Sequence, residues 1–252
     1  MSDLFWLSDA QMARLKPYFP KPHGKPRVGD RRVSSGIIFI DRNGLRWRDA
    51  PKEYGPHKTL YNRWNRWRDK GVFARMMAGL AAEHGETKAV TIDATYLKCH
   101  RTASSTGVKK GPRGRLIGRK KSGMNTKPHA LCDSQGRPIN LFVTAGHVRD
   151  YIGARALLGS LPNVDRLLGD RGYDADWFRE VLKDKGIRAC IPGRDQRKKP
   201  VKYDKRRYKR QNRIEIMFGS HKDWRRVATR YDRCPKVFLS AIALAAIVMF
   251  WL

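Results

Sequence analysis

The sequence predicts an α/β protein, with a small helical region over residues 1–83 ahead of a mixed β-sheet that carries helices on its faces. Three observations predict it. Apolar residues recur at helical spacing in the first third, and from residue 88 onward they fall in short β-branched runs. The chain has 252 residues, enough to bury a sizeable core. Lys and Arg number 54 against 23 Asp and Glu, a formal net charge of +31, yet 7 Trp, 9 Tyr and 9 Phe are interleaved with them, so this is a folded protein and not a polycationic arm. Such an excess calls for a polyanionic partner, and a nucleic acid fits better than a membrane surface.

In chain order, LSDAQMARLKPYF starts on a Ser8 cap, ends before Pro20, and gathers Leu7, Met12, Leu15 and Phe19 on one face. RRVSSGIIFIDRNG is a second apolar element closed by Asn43-Gly44. A short helix, a break at Gly55-Pro56 and a helix from His57 to Asp69, stopped by Gly71, follow. Leu60, Trp64 and Trp67 share its apolar face, while His57, Lys58, Tyr61, Asn62, Arg63, Arg66 and Arg68 take much of the rest. That is the outline of a helix-turn-helix with a basic second helix suited to a major groove. An ordinary helical pair with a solvated basic face shows the same pattern.

From Lys88 the period changes. KAVTIDATYLK, TKPHALCDSQG and RPINLFVTAG read as three strands, the last two joined by an Asp133–Gly136 hairpin turn. A helix over 151–161, a DRLLGD strand, a helix ending at Gly186, an IRACIPG strand and a helix carrying Glu215 complete residues 84–252. This is the element order of a ribonuclease H-like domain, shared with other α/β folds. Residues 100–127 are rich in Gly, Ser, Lys and Arg and predict a mobile basic loop, and residues 194–213 form a second basic run. Together they suggest a channel for a phosphate backbone. The apolar C-terminal helix, 236–252, reads as buried against the sheet and not as a membrane anchor. MSDLFWLSDAQ lacks the pattern of a signal peptide, and the four scattered cysteines suit free thiols in a reducing cytoplasm.

Three acids stand out by position. Asp93 interrupts an apolar strand, Asp170 ends one, and Glu215 sits among Arg213, Lys222, Arg225 and Arg226 on a late helix. Singly, each could be a turn former or an acid that offsets local repulsion. Together they could converge at one end of the sheet, where three carboxylates can hold two hard divalent ions for phosphodiester chemistry. Helical spacing places Tyr208, Glu215 and Lys222 on one stripe, with Gln211 nearby.

VTIDATYLK, LLGDRGYDADWFRE and YKRQNRIEIMFGSHKDWRRVATRYDR resemble the three acidic motifs of the DDE transposases of bacterial insertion sequences, specifically the IS5 family. The resemblance covers nearly the whole chain. It implies a ribonuclease H-like catalytic domain with Asp93, Asp170 and Glu215 as catalytic triad and ligands of two Mg²⁺ ions, with Mn²⁺ able to substitute. Tyr208 and Lys222 take the first and last positions of a Y-x2-R-x3-E-x6-K signature. Its Arg falls on Gln211, with Arg210 just before, which puts in question how the transposon end is gripped. The implied partners are double-stranded DNA, as terminal inverted repeats and as target, and further copies of the chain in a homodimer or larger assembly on DNA. The implied DNA contacts are Tyr208, Arg210, Gln211, Lys222, Arg225 and Arg226, with His57, Lys58, Tyr61, Asn62, Arg63 and Arg66 from the helical region. His147 and Asp150 in GHVRDY could form another acidic or metal-adjacent pair, and a structural or supporting role fits them better. A nuclease without strand transfer, or a relative that binds DNA without cutting, would use the same framework.

Overall fold

The computed structural model describes residues 3–21, 28–85, 87–105, 112–121, 123–197 and 199–252. The helical region comprises α1 (Asp9–Leu15), α2 (Asp30–Asn43), α3 (His57–Asp69) and α4 (Val72–Ala82). Local chemistry sets their ends. Ser8 and Gln11 form a reciprocal capping box on α1, and Gly44, at φ 68°, closes α2 in the left-handed conformation that glycine adopts without a Cβ penalty. Ahead of α3 lie two 3₁₀ turns, Trp47–Asp49 and Lys52–Tyr54, where the sequence pattern predicts a short α-helix. Pro51 and Gly55-Pro56 bracket too few residues for a full α-turn.

The sheet comprises β1 (Ala89–Ala94), β2 (Leu97–Cys99), β3 (Gly118–Lys120), β4 (Gly123–Cys132), β5 (Pro138–Ala145), β6 (Arg166–Gly169), β7 (Arg188–Cys190) and β8 (Thr229–Arg230). The short helix α5 (Arg101–Ser104) follows β2, α6 (Asp150–Leu157) follows β5, and α7 (Asp176–Asp184) links β6 to β7. Then come α8 (Lys205–Tyr208), a 3₁₀ turn, α9 (Asn212–Lys222), α10 (Arg225–Ala228) and α11 (Pro235–Ala246), which runs into a π-helical turn over Ile247–Trp251. β4 is antiparallel to both β1 and β5, while β1, β6 and β7 run parallel. The β4–β5 turn is tied by Asp133, whose carboxylate accepts from the Gln135 and Arg137 backbone N–H groups at 2.8 and 2.9 Å.

The predicted basic loop over 100–127 is partly strand: β3 and the first half of β4 lie within it, because Met124, Asn125 and Thr126 pair with β2 and β3 and bury their backbone polar groups in the ladder. Residues 106–111 and 122 of that loop lie outside the described residues. The predicted first strand is also broken, at Thr95-Tyr96, into β1 and β2.

Two apolar clusters hold the molecule together. One, with Val90, Ile92, Leu167, Tyr173, Phe178 and Leu182, seals α6 and α7 onto the sheet. The other is larger and continuous from the N-terminal helices to the C-terminal one: Ile37, Leu60, Trp64, Phe73 and Met76 pack with Ile214, Phe218, Phe238, Ile242 and Trp251. α11 is thus buried in protein, and no helix among the described residues is long and apolar enough to cross a membrane.

Candidate active site

Register brings the first two acids together. β1 and β6 are parallel and pair Ile92 with Gly169, so Asp93 and Asp170 are the next residues along, side by side where the strands deliver their carboxyl ends. Asp93 Oδ1 accepts from Ala94 N at 2.7 Å, and Asp170 Oδ1 accepts from Gly172 N at 2.8 Å, capping a short 3₁₀ turn. α9 crosses beside β1 with Glu215 exposed in its first turn. At the far end of α9, Lys222 Nζ donates to Thr95 Oγ1 at 3.1 Å, two residues beyond Asp93.

Electrostatics register this crowding. Burial pushes the Asp93 carboxyl up to about 7, and the charges of Asp170, Asp150 and Glu215 add to the rise. Asp170 is also raised, first by burial and then by Asp150, while backbone donors and Lys127 pull the other way. Tyr208 lies on α8, separated from Glu215 by the 3₁₀ turn, so the predicted single stripe is interrupted; its phenol is raised by burial and then by the charges of Asp170 and Glu215.

The donors suit a hard divalent cation: they are carboxylate oxygens, and their mutual repulsion is what such an ion would relieve. Among the described residues, no three His, Cys, Asp or Glu side chains already stand at the spacing of a closed ligand cage. Glu215 is exposed on its helix, and its charge reaches Asp93.

The remaining expected contacts divide. His57, Lys58, Tyr61, Asn62 and Arg66 are exposed together on α3. Arg63 is not free: its side chain, 12% exposed, pairs with Asp30 and lies over the Trp67 ring at 5.4 Å. Arg226 is likewise engaged, 3.6 Å from Asp232 and over the Trp47 ring at 5.4 Å. Each arginine meets a partner that spacing alone does not reveal: Asp30 at the start of α2 for Arg63, and Asp232 beyond β8 together with Trp47 for Arg226. Gln211 is buried, its Oε1 lacking a partner among the described residues, while Arg210 and Arg225 are exposed. Sequence reasoning gave Lys127 no role at all, although it is a buried cation beside these acids, its Nζ 2.7 Å from Asp150 Oδ1.

Residues 7–77 match the family model described as "Putative transposase of IS4/5 family", and residues 167–252 match the one described as "Transposase DDE domain". Asp170 and Glu215 fall inside the second match; Asp93 falls between the two. A Brucella ovis protein, "Putative transposase for insertion sequence element IS6501", is 34% identical over 130 residues, 51% of this chain and 99% of its own length. The y4sN protein of Sinorhizobium fredii is 32% identical over 110 residues, 42% of this chain and 87% of its own. Among solved structures, the piggyBac transposase, determined as a synaptic complex with hairpin DNA, superposes with a TM-score of 0.53 at 9% identity, covering 94% of this chain and 69% of that one. At that identity the likeness speaks to fold alone, and it shows the predicted ribonuclease H-like, mixed-sheet α/β class.

Proposed function

Because this chain belongs to the IS4/IS5 family of insertion-sequence transposases, of the DDE type, we propose that it binds terminal inverted repeats, hydrolyses the phosphodiester at each transposon end, and joins the freed 3′-hydroxyls to target DNA. The observation that carries the reading is the parallel register that sets Asp93 beside Asp170 at adjoining strand ends, with Glu215 on the helix that packs beside β1.

In this reading Asp93, Asp170 and Glu215 hold two Mg²⁺ ions, with Mn²⁺ able to substitute. When bound, such ions lower the pKa of the attacking oxygen and stabilise the leaving one. The protein's own groups do the rest. Lys222, anchored on Thr95, presents its ammonium at the rim where a scissile phosphate would lie. Tyr208, in the field of Asp170 and Glu215, positions the substrate strand. Arg210 and Arg225 add exposed cations for the backbone, and His57, Lys58, Tyr61, Asn62 and Arg66 form the face of α3 that meets duplex DNA, within a DNA-binding unit over residues 1–83 and ahead of a catalytic unit over residues 84–252. Joining two ends requires at least a dimer on DNA, acting where the chromosome lies, in the cytoplasm.

A strand-transfer assay tests this, with purified protein, Mg²⁺ or Mn²⁺, a plasmid target and labelled terminal-repeat DNA. Wild type is expected to join ends to plasmid, and Glu215→Gln to bind equally well and yield no product. Binding without reaction by both, under every divalent metal, would leave a DNA-binding protein. Cleavage without joining, when pre-cut ends are supplied, would leave a nuclease.

A further inference from the structure

Asp150, at the first position of α6, takes no part in the reaction as set out above, yet it stands inside the acidic site. Its Oδ1 accepts from Lys127 Nζ at 2.7 Å, and the same ammonium donates to Val148 O at 2.7 Å. The Lys127 side chain, on β4, is only 2% exposed. Lysine is almost never buried unless paired, so this one is committed to holding the turn that leads into α6. Oδ2 of Asp150 faces the other way. A Cβ on Gly172 would lie 3.0 Å from Asp150 Oδ2 and 2.9 Å from Asp170 Oδ1, so the two carboxylates meet across a residue that has no side chain.

A second observation points into the same space. Tyr173 is fully buried, its hydroxyl has no hydrogen-bond partner among the described residues, and it lies in the field of Asp93, Asp150 and Asp170. A buried hydroxyl left unpaired is costly. A hydrated cation among those three acids would bring water oxygens for it to donate to.

On the reading that these acids hold a divalent cation, on which the inference rests, we propose that Asp150 is a fourth acidic member of the site. Its Oδ2 adds an anionic oxygen to the cation's surroundings, and Lys127 is a positioning residue that fixes Asp150 through Oδ1.

The test is a Tb³⁺ titration of the full chain without DNA, followed by luminescence sensitised through nearby aromatic side chains; Tb³⁺ is a hard, oxygen-seeking stand-in for the divalent ion. The signal lost in Asp93→Asn defines the site. Asp150→Asn is expected to weaken that binding about tenfold or more, the scale seen when groups supporting metal ligands are removed. The paired variant Asp150→Asn/Lys127→Met, which leaves no buried ammonium without its partner, is expected to do the same, and it decides the matter should Asp150→Asn alone lose its fold by circular dichroism. If Asp93→Asn weakens binding and the Asp150 variants match wild type, Asp150 is only a structural partner of Lys127, and the proposal falls with the metal reading intact. If Asp93→Asn matches wild type too, both fall. Lys127→Met alone separates position from charge: it removes a positive charge, so tighter Tb³⁺ binding would overturn the positioning role, and weaker binding is the expected result.

Discussion

Asp41 and Asp93 make an instructive pair. Both are carboxylates in apolar surroundings, one on α2 in the helical region and one on β1, and burial raises both, to about 8 and about 7. The neighbours differ. Around Asp41, an opposing Arg226 pulls the value down and only Asp232 adds to the rise. Around Asp93 the further contributors are three other acids, tempered by a single backbone hydrogen bond. A perturbed carboxyl alone therefore marks burial. What marks a site for a cation is a perturbed carboxyl among other carboxyls at the end of parallel strands.

The comparison breaks most sharply under substitution. Asp93→Asn is expected to cut strand transfer by about a thousandfold or more, the scale of several kcal/mol of lost electrostatic stabilisation. Asp41→Asn should leave it within about twofold, since Asn keeps the shape and the charges around Asp41 are Arg226 and Asp232, not the strand-end acids. Equal losses from the two would dissolve the distinction.

Gly172→Ala comes next. Its Cβ would stand 2.9 Å from Asp170 Oδ1 and 3.0 Å from Asp150 Oδ2, closer than such contacts tolerate, so the carboxylates must move. Activity should drop about a hundredfold, as an ångström of misplacement can cause, with thermal stability and DNA affinity little changed. Full activity would show that the carboxylates rearrange freely.

The pH dependence is a gentler probe. Both carboxyls have folded-state values above the usual 3.8, so each contributes stability that is complete below that value and is lost as pH rises through about 7 for Asp93 and about 8 for Asp41. Melting temperature without metal should fall between pH 5 and 9. Asp41→Asn should flatten the upper part of that fall by a few °C. Mg²⁺ should restore stability at pH 8 in wild type and in Asp41→Asn, and fail to do so in Asp93→Asn.

The smallest effects concern the helical region. Arg66→Ala should weaken binding to all duplexes and lower the salt slope by about one. Arg63→Ala should instead lower the melting temperature, because Arg63 is spent on Asp30 and Trp67. An Arg63→Ala protein of unchanged stability and weakened binding would reverse the assignment.

Much of this was legible in the chain. Leu60, Trp64 and Trp67 fix α3 to its observed bounds because a three-to-four spacing of large apolar groups leaves one face to bury. The Asp133–Gly136 turn and the break at Gly71 follow from local chemistry in the same way. Partners distant in sequence were not legible. Nothing in VTIDATY says that Ile92 will pair with Gly169, or that Lys127, set in a basic stretch, turns inward to Asp150. Arg63 and Arg226 carried the same charge and spacing as their free neighbours, and only tertiary contacts with Asp30 and Asp232 separate them.

The apolar cluster that joins α2, α3 and α4 to α11 bears on how the protein is born. Trp251, whose indole donates to Pro138 O at 3.0 Å, fills a place beside helices that leave the ribosome some 170 residues earlier. The first helices can form early, but they wait with an uncovered face until α11 and Trp251 are synthesised. A nascent or truncated chain would then hold α3 in a loose, protease-sensitive state, so the face of α3 proposed to meet DNA would mature only together with the sheet that carries Asp93 and Asp170. On the proposed reading, synthesis itself would keep a half-made copy from occupying DNA ends that it could not process.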